Sequence, residues 1–169
     1  LAPMGVSAQM LADRYDLARE DMDRFALWSH QKAVLAMRDE DEYRKRVIPV
    51  EVEGEGGERR LVEFDEPPRA QAVDDPEAAL EKIRSLPPRF RDDGTVTAAT
   101  SSAIVDGAAA VMLMTAEKAE ELGLEPMARI VSTAVAGSEP LIMLLGPVPA
   151  MRKALDRAGI TMDDVGVFE

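Results

Sequence analysis

The chain has 169 residues and a mass of 18.4 kDa, with 46% apolar and 31% charged side chains, which is about one ordinary globular domain. It has no cysteine and a single histidine, which excludes disulfides, thiolate metal sites, a cysteine nucleophile within the chain and a His-rich metal site. Twenty Lys and Arg stand against 32 Asp and Glu, net −12, so neither nucleic acid nor an anionic membrane is an expected partner, although a local arginine cluster can still hold a small anion.

No apolar run approaches the ~20 residues that span a bilayer, and no signal peptide is visible. These features and the acidic balance point to a cytoplasmic setting. The sequence opens at Leu1 and closes on Val165-Gly166-Val167-Phe168-Glu169. A stop inside an apolar strand pattern leads us to expect an internal piece of a longer protein.

In chain order, Ser7 is a candidate cap for a short helix to about Arg14, with Met10 and Leu11 inward. A longer helix is expected from Arg19 to Met37. Its stripe of Met22, Phe25, Ala26, Ser29, Ala33, Ala36 and Met37 follows spacings of three and four. Asp39–Glu42 and Arg44–Arg46 read as a solvated corner. Val47–Val52 and Arg59–Phe64 read as a peripheral hairpin turned by Gly54, Gly56 and Gly57.

Asp75-Pro76 is a helix start with a capping carboxylate and proline at the first helical position. That helix should bury Leu80 and Ile83 and stop at Pro87-Pro88. Beyond residue 107, strands are expected at Ala108–Met114, Ala128–Ala136 and Val165–Phe168. Helices capped by Thr115 and running over Val148–Ala158 alternate with them, which is an α/β pattern. The first hundred residues read as an irregular region of helices and a hairpin.

Little of this composes a catalytic set. Ser29 and His30 are helix neighbours about 100° apart, so they form no dyad, and His30 reads as structural or surface. Asp92-Asp93-Gly94 reads as a turn. The small, hydroxylic Thr97–Ser102 segment lets a ligand approach closely and offers hydroxyls and backbone N–H groups to amides or phosphates. The same composition also suits a tight structural connection. Gly146-Pro147-Val148-Pro149-Ala150 is a rigid turn before a helix.

Taken in order, several motifs resemble the thiolase family. They are Met4-Gly5 with Ser7-Ala8-Gln9, Ala18–His30, Gly94-Thr95-Val96-Thr97-Ala98, Ser101-Ser102, Asp106–Ala110, Ala136-Gly137, Gly146–Ala150 and Asp164–Glu169. The resemblance covers nearly the whole chain. It implies an α/β fold, part of the layered αβαβα thiolase fold with its inserted loop domain. Residues 1–103 would form the loop-domain region, 104–125 the end of the N-terminal core half and 126–169 the start of the C-terminal half.

The implied activity is acyl transfer between acyl-CoA and coenzyme A, by thiolytic cleavage or Claisen condensation of a 3-ketoacyl-CoA. Thiolases use an activated cysteine nucleophile and preorganised oxyanion holes. None of the catalytic motifs is in this sequence, so no catalytic residue is assigned to it. The chain is expected to be inactive without the remainder of the polypeptide; the alternative is a non-catalytic thiolase-like subunit for coenzyme A binding or assembly.

By resemblance, Arg69 lies near the adenine and phosphate end of coenzyme A and Phe90 beside the pantetheine arm. Ala98 and Ser102 belong to the loop that bonds the pantetheine amides. Met4 and Met143 flank the thioester, as flexible apolar side chains suit. No metal and no permanently bound cofactor is implied, coenzyme A and acyl-CoA being substrates. A homo-oligomer, dimer or tetramer, is the family expectation. Departures from the family pattern are Pro3 before Met4, Ala99-Thr100 in the loop and Leu144-Leu145 after Met143. The two leucines bear on acyl-chain length.

Overall fold

Helix α2, Arg19–Arg38, is the spine of the first part of the structure. Glu20 and Asp21 sit at its positive N-terminal end and Arg38 at its C-terminal end, as the helix dipole favours. The computed structural model describes residues 2–54 and 56–169. It divides into two units, one of Pro3–Ala103 and one of Ile104–Glu169 with Ala2.

In the first unit α1 spans Met4–Arg14, α3 Glu40–Arg44, α4 Gln71–Asp74 and α5 Pro76–Arg84. Helix α2 packs on α4 and α5. The contact is made by Ala26 and Val34 of α2, Ala72 of α4, and Ala79 and Ile83 of α5, all buried. Alanines dominate, which lets the helix axes approach closely.

One side chain fastens the start of α2 to the end of α5. The Arg19 Nε donates to both carboxylate oxygens of Asp23 at 2.8 Å. Its Nη2 donates to the carbonyls of Ile83, Arg84 and Leu86 at 3.1, 3.2 and 3.0 Å. These are carbonyls at and just beyond the end of α5, where the helix supplies no partner. Asp23 is fully buried. Helix α5 begins as expected, with Asp75 accepting from the Ala78 N–H at 3.1 Å and Pro76 at its first position. It buries Ala79 with Ile83, and Leu80 is half-buried.

Two expectations about the first helices are corrected. Helix α1 starts at Met4 rather than at Ser7, with Pro3 as its cap residue. Ser7 lies inside the helix and is buried with Gln9 and Ala12, whereas Met10 and Leu11 are half-buried. In α2 the buried face runs through Asp23, Ala26 and Val34. Phe25, Ser29 and Ala36 face solvent, because the Arg19–Asp23 pair turns the charged row inward.

The hairpin forms, with β1 Val50–Glu53 and β2 Arg59–Val62 antiparallel, Val50 opposite Val62 and Glu53 opposite Arg59. Both strands are shorter than the sequence suggests. The flanking corner is charged and exposed, with Arg44 paired to Glu63 at 2.7 Å and Tyr43 stacked on Phe64.

The second unit holds α6 Ala116–Glu121, capped by Thr115 accepting from the Lys118 N–H at 3.2 Å, and α7 Pro147–Ala158. Helix α7 stops at Gly159, whose φ of +69° lies in the left-handed region that glycine supplies without strain. A 3-10 segment kinked at Ile142 covers Pro140–Leu145, and a single 3-10 turn covers Met162–Asp164.

The strands expected at 108–114, 128–136 and 165–168 are not formed. Among the described residues the only strand pair is β1–β2. A strand is defined by its ladder, and these segments find no neighbouring strand within the described residues. Residues 131–136 keep the burial rhythm of a strand all the same. Ser132, Ala134 and Ala136 are half-buried while Val131, Thr133 and Val135 are exposed. The segment is tied to α7, with Ser132 Oγ donating to the Ala154 carbonyl at 2.6 Å and the Arg157 side chain donating to the Thr133 carbonyl at 2.6 Å.

Candidate functional site

A cavity of about 790 Å³ lies in the first unit, within the usual size for a small-molecule site. Helix α2 lines it with Ala26, Ser29 and His30, and α5 with Ala79, Lys82 and Ile83. Both sets follow the spacing of three and four that puts side chains on one helix face. The stretch 67–72 contributes Pro67, Pro68, Arg69 and Gln71 among others, and the small-residue loop contributes Ala98, Ala99, Ser101 and Ala103.

The charge of this lining is one-sided. Arg69, Lys82 and His30 line it and no Asp or Glu does, in a chain of net charge −12. Among the described residues, neither Arg69 nor Lys82 takes part in an ion pair, unlike Arg38 with Asp74 or Arg84 with Glu20 nearby in sequence. Partial burial holds the His30 imidazole below its usual pKa, and the positive charge of Arg69 adds to that. The arrangement suits an anion with an apolar, slender portion. The cations face its charge, and the alanines leave room for its backbone.

The loop 97–103 is held rigidly from within. Thr97 is fully buried. Its N–H donates to Thr100 Oγ1 at 2.9 Å, its hydroxyl accepts from the Ala99 N–H at 3.2 Å, and its carbonyl accepts from Ser101 Oγ at 2.7 Å. The hydroxyls expected to face a ligand are thus spent on the loop's own shape at Thr97, Thr100 and Ser101.

The approach to this loop is anchored by Gln9 of α1, which is buried. Gln9 Oε1 accepts from the Thr95 and Val96 N–H groups at 2.8 and 3.1 Å. Its Nε2 donates to Asp13 Oδ1 at 3.0 Å and to Thr95 Oγ1 at 3.2 Å. Asp13 in turn takes a forked pair from Arg91, at 2.6 and 3.1 Å. Hydrogen bonds from Arg91, then from Gln9, hold the Asp13 carboxyl below its usual pKa. Asp92-Asp93-Gly94 is a turn, with the Gly94 N–H donating to the Arg91 carbonyl at 2.9 Å.

Of the residues singled out from sequence, Arg69 and Ala98 line the same cavity. Ser102 is exposed between the lining residues Ser101 and Ala103. Phe90 lies against α1, where a Cβ at Gly5 would fall 2.1 Å from its ring, so only glycine admits this contact. Met4, beside Gly5, is exposed. Phe90 and Met4 are therefore grouped at the start of α1, and neither lines the cavity. Met143 belongs to the second unit and is half-exposed.

The sequence reading missed Gln9 and Lys82 and left His30 outside any site. The signal for the last two was present. Ala26, Ser29 and His30, and Ala79, Lys82 and Ile83, repeat one helical spacing, and each set carries one base.

These features define a unit of helices and one hairpin with a cavity lined by bases and small residues. Comparison with known proteins makes this more specific. The family model for the thiolase N-terminal domain matches residues 2–117, and that for the thiolase C-terminal domain matches residues 124–169. A 3-ketoacyl-CoA thiolase of a Marinomonas species is 46% identical over 167 residues, 98% of this chain and 41% of the relative. An acetyl-CoA acetyltransferase of Pseudomonas aeruginosa is 44% identical over 98% of this chain and 40% of its own length. The crystal structure of the Bacillus anthracis acetyl-CoA acetyltransferase superimposes with a TM-score of 0.85 at 39% identity, covering 97% of this chain and 40% of that one.

The chain belongs to the thiolase family, and its fold is the mixed α/β thiolase fold. It spans about 40% of the length of the relatives it matches. Among the described residues no helix is long and apolar enough to cross a membrane.

Proposed function

We propose that this chain contributes the coenzyme A site and part of the acyl pocket of an enzyme that transfers an acyl group between acyl-CoA and coenzyme A, in the thiolytic or the condensing direction. The observation that carries the reading is the cavity over α2 and α5, lined by bases and small residues with no carboxylate. Arg69 would meet the phosphate end of the carrier, and Ala98 and Ser102 the pantetheine amides. Phe90 would lie along the pantetheine arm, and Met4 and Met143 would flank the thioester. Coenzyme A is substrate in this reading, and no resident cofactor or metal is invoked.

In the same reading residues 1–103 form the loop region, 104–125 the end of the N-terminal core half and 126–169 the start of the C-terminal half. The chain has no cysteine, so the nucleophile would come from the rest of a thiolase polypeptide and the chain alone would be inactive. A cytoplasmic homo-oligomer is the assembly that fits. The cysteine-free sequence also favours a second reading, a thiolase-like subunit that binds coenzyme A without chemistry.

Titration calorimetry with coenzyme A tests both readings. Binding that weakens at least about tenfold in Ala98→Trp, whose indole would occupy the cavity, is the expected outcome. Binding unaffected by that substitution removes the cavity from the proposal. Thiolysis of acetoacetyl-CoA by the same preparation separates the enzyme from the silent subunit.

A further inference from the structure

We propose that the outward face of α2 is a contact surface for a second copy of this chain, and that the two α2 helices pair antiparallel. The inference goes beyond the coenzyme A reading and does not rest on it.

Helix α2 carries two faces. Its inner row, Asp23, Ala26 and Val34, is buried on the side that packs against α4 and α5. Its outer row is Asp21, Phe25, Trp28, Lys32 and Leu35, at spacings of four, three, four and three. That alternation is the one by which a helix seats its side chains against a second helix. At about 100° per residue the five side chains fall within an arc of about 80°, on the side away from the buried row.

A helix whose inner face is already packed is expected to be polar on its outer face. Here Phe25, Trp28 and Leu35 are each more than half exposed. The rings of Phe25 and Trp28 meet edge to face with 5.8 Å between centroids, and the Lys32 ammonium lies 3.7 Å from the centre of the Trp28 ring. The aromatic pair is therefore held in one arrangement before a partner arrives, which lowers the ordering cost of binding.

The charges choose the occupant. Asp21 and Lys32 are exposed, and neither takes part in an ion pair among the described residues, whereas Glu20 and Arg24 on the same helix pair at 2.8 Å. Asp21 and Lys32 stand at equal distances on either side of the midpoint between Phe25 and Trp28. A second α2 laid antiparallel on the first, with that midpoint on the two-fold axis, sets Asp21 opposite Lys32 of the other copy and Phe25 opposite Trp28, each twice over. Leu35 then falls over Ala18, the small cap residue of the helix. A parallel pair would set Asp21 against Asp21 and Lys32 against Lys32. The row is self-complementary in one direction only, as an isologous contact requires. Three apolar side chains from each copy make a small interface, so the dimer is a weak one that forms at micromolar concentration and above.

Sedimentation equilibrium on the protein as purified, from about 5 to about 500 µM, tests this. The mean mass should rise from 18.4 kDa toward twice that value across the series. Trp28 is the only tryptophan, so its emission should move to shorter wavelength in step with the mass. Asp21→Lys and Lys32→Asp should each weaken the dimer at least about tenfold, because each sets like charges face to face at two places. The double variant should restore it. Both positions are exposed, so the unfolding midpoint of each variant should move little.

A chain that stays monomeric throughout the series would overturn the inference. So would association that neither single substitution weakens, which would place the contact on another surface, and so would single losses that the double variant does not recover. None of these outcomes bears on coenzyme A binding, which calorimetry reads separately.

Discussion

The two units of this chain are built on opposite principles. In residues 3–103, seven buried apolar side chains are joined by the buried Asp23, paired with Arg19, and by the buried Gln9 and Thr97, each of the three hydrogen-bonded. In residues 104–169 only Ala119 and Ile142 among the described apolar residues are buried, and Val111, Met112 and Leu113 are each more than two-thirds exposed. The first unit closes its own polar accounts by side-chain bonds to backbone. The second offers apolar sequence that has no packing partner within the described residues. A continuous apolar run signals a strand covered on both faces, but the cover is a property of the neighbours and not of the run.

Hydrogen exchange sharpens this contrast most. Helix α2 amides should exchange at least about a thousandfold more slowly than those of residues 108–114, which belong to no helix or strand. Equal protection of the two segments in the purified protein would break the comparison, because it would mean that 108–114 is covered in solution by another segment or another copy.

Next in size is the anchor within the first unit. Asp23→Ala leaves Arg19, whose side chain is about one-quarter exposed, without its counter-charge. Partial loss of a buried pair costs about 3 kcal/mol, at the low end because Arg19 keeps its three carbonyl partners. Denaturant unfolding followed by the Trp28 signal should show that loss, while exchange in α7 stays unchanged. A midpoint shift worth less than about 1 kcal/mol, or one shared by α7, would show that the Arg19–Asp23 pair does not hold the first unit as described.

The same contrast explains what could be read in advance. Helix α5 was legible from Asp75-Pro76, and the end of α7 from Gly159, because caps are local chemistry. The hairpin was legible from alternation and three glycines, although its strands came out shorter. The rotation of α2 was not legible. A stripe count weighs Phe25 above Asp23, yet the arginine four residues before Asp23 makes the acidic side the buried one. The cavity was half-legible. The family pattern points to Arg69 and Ala98, while nothing local places Lys82 beside them, because the loop that closes the cavity is distant in sequence. Gln9 escaped for the same reason, its backbone partners lying at Thr95 and Val96.

The smallest expected effect concerns His30 and the stability of the first unit. Burial, aided by the charge of Arg69, lowers its pKa in the folded state below the ordinary 6.5. The unfolded chain therefore binds the proton more readily than the folded one just below that value. The first unit should lose stability as pH falls through 6.5, and His30→Gln should flatten that slope. Denaturant unfolding across that pH range checks it: a slope that persists unchanged in His30→Gln would assign the acid loss to other groups of the first unit and not to the imidazole facing the cavity.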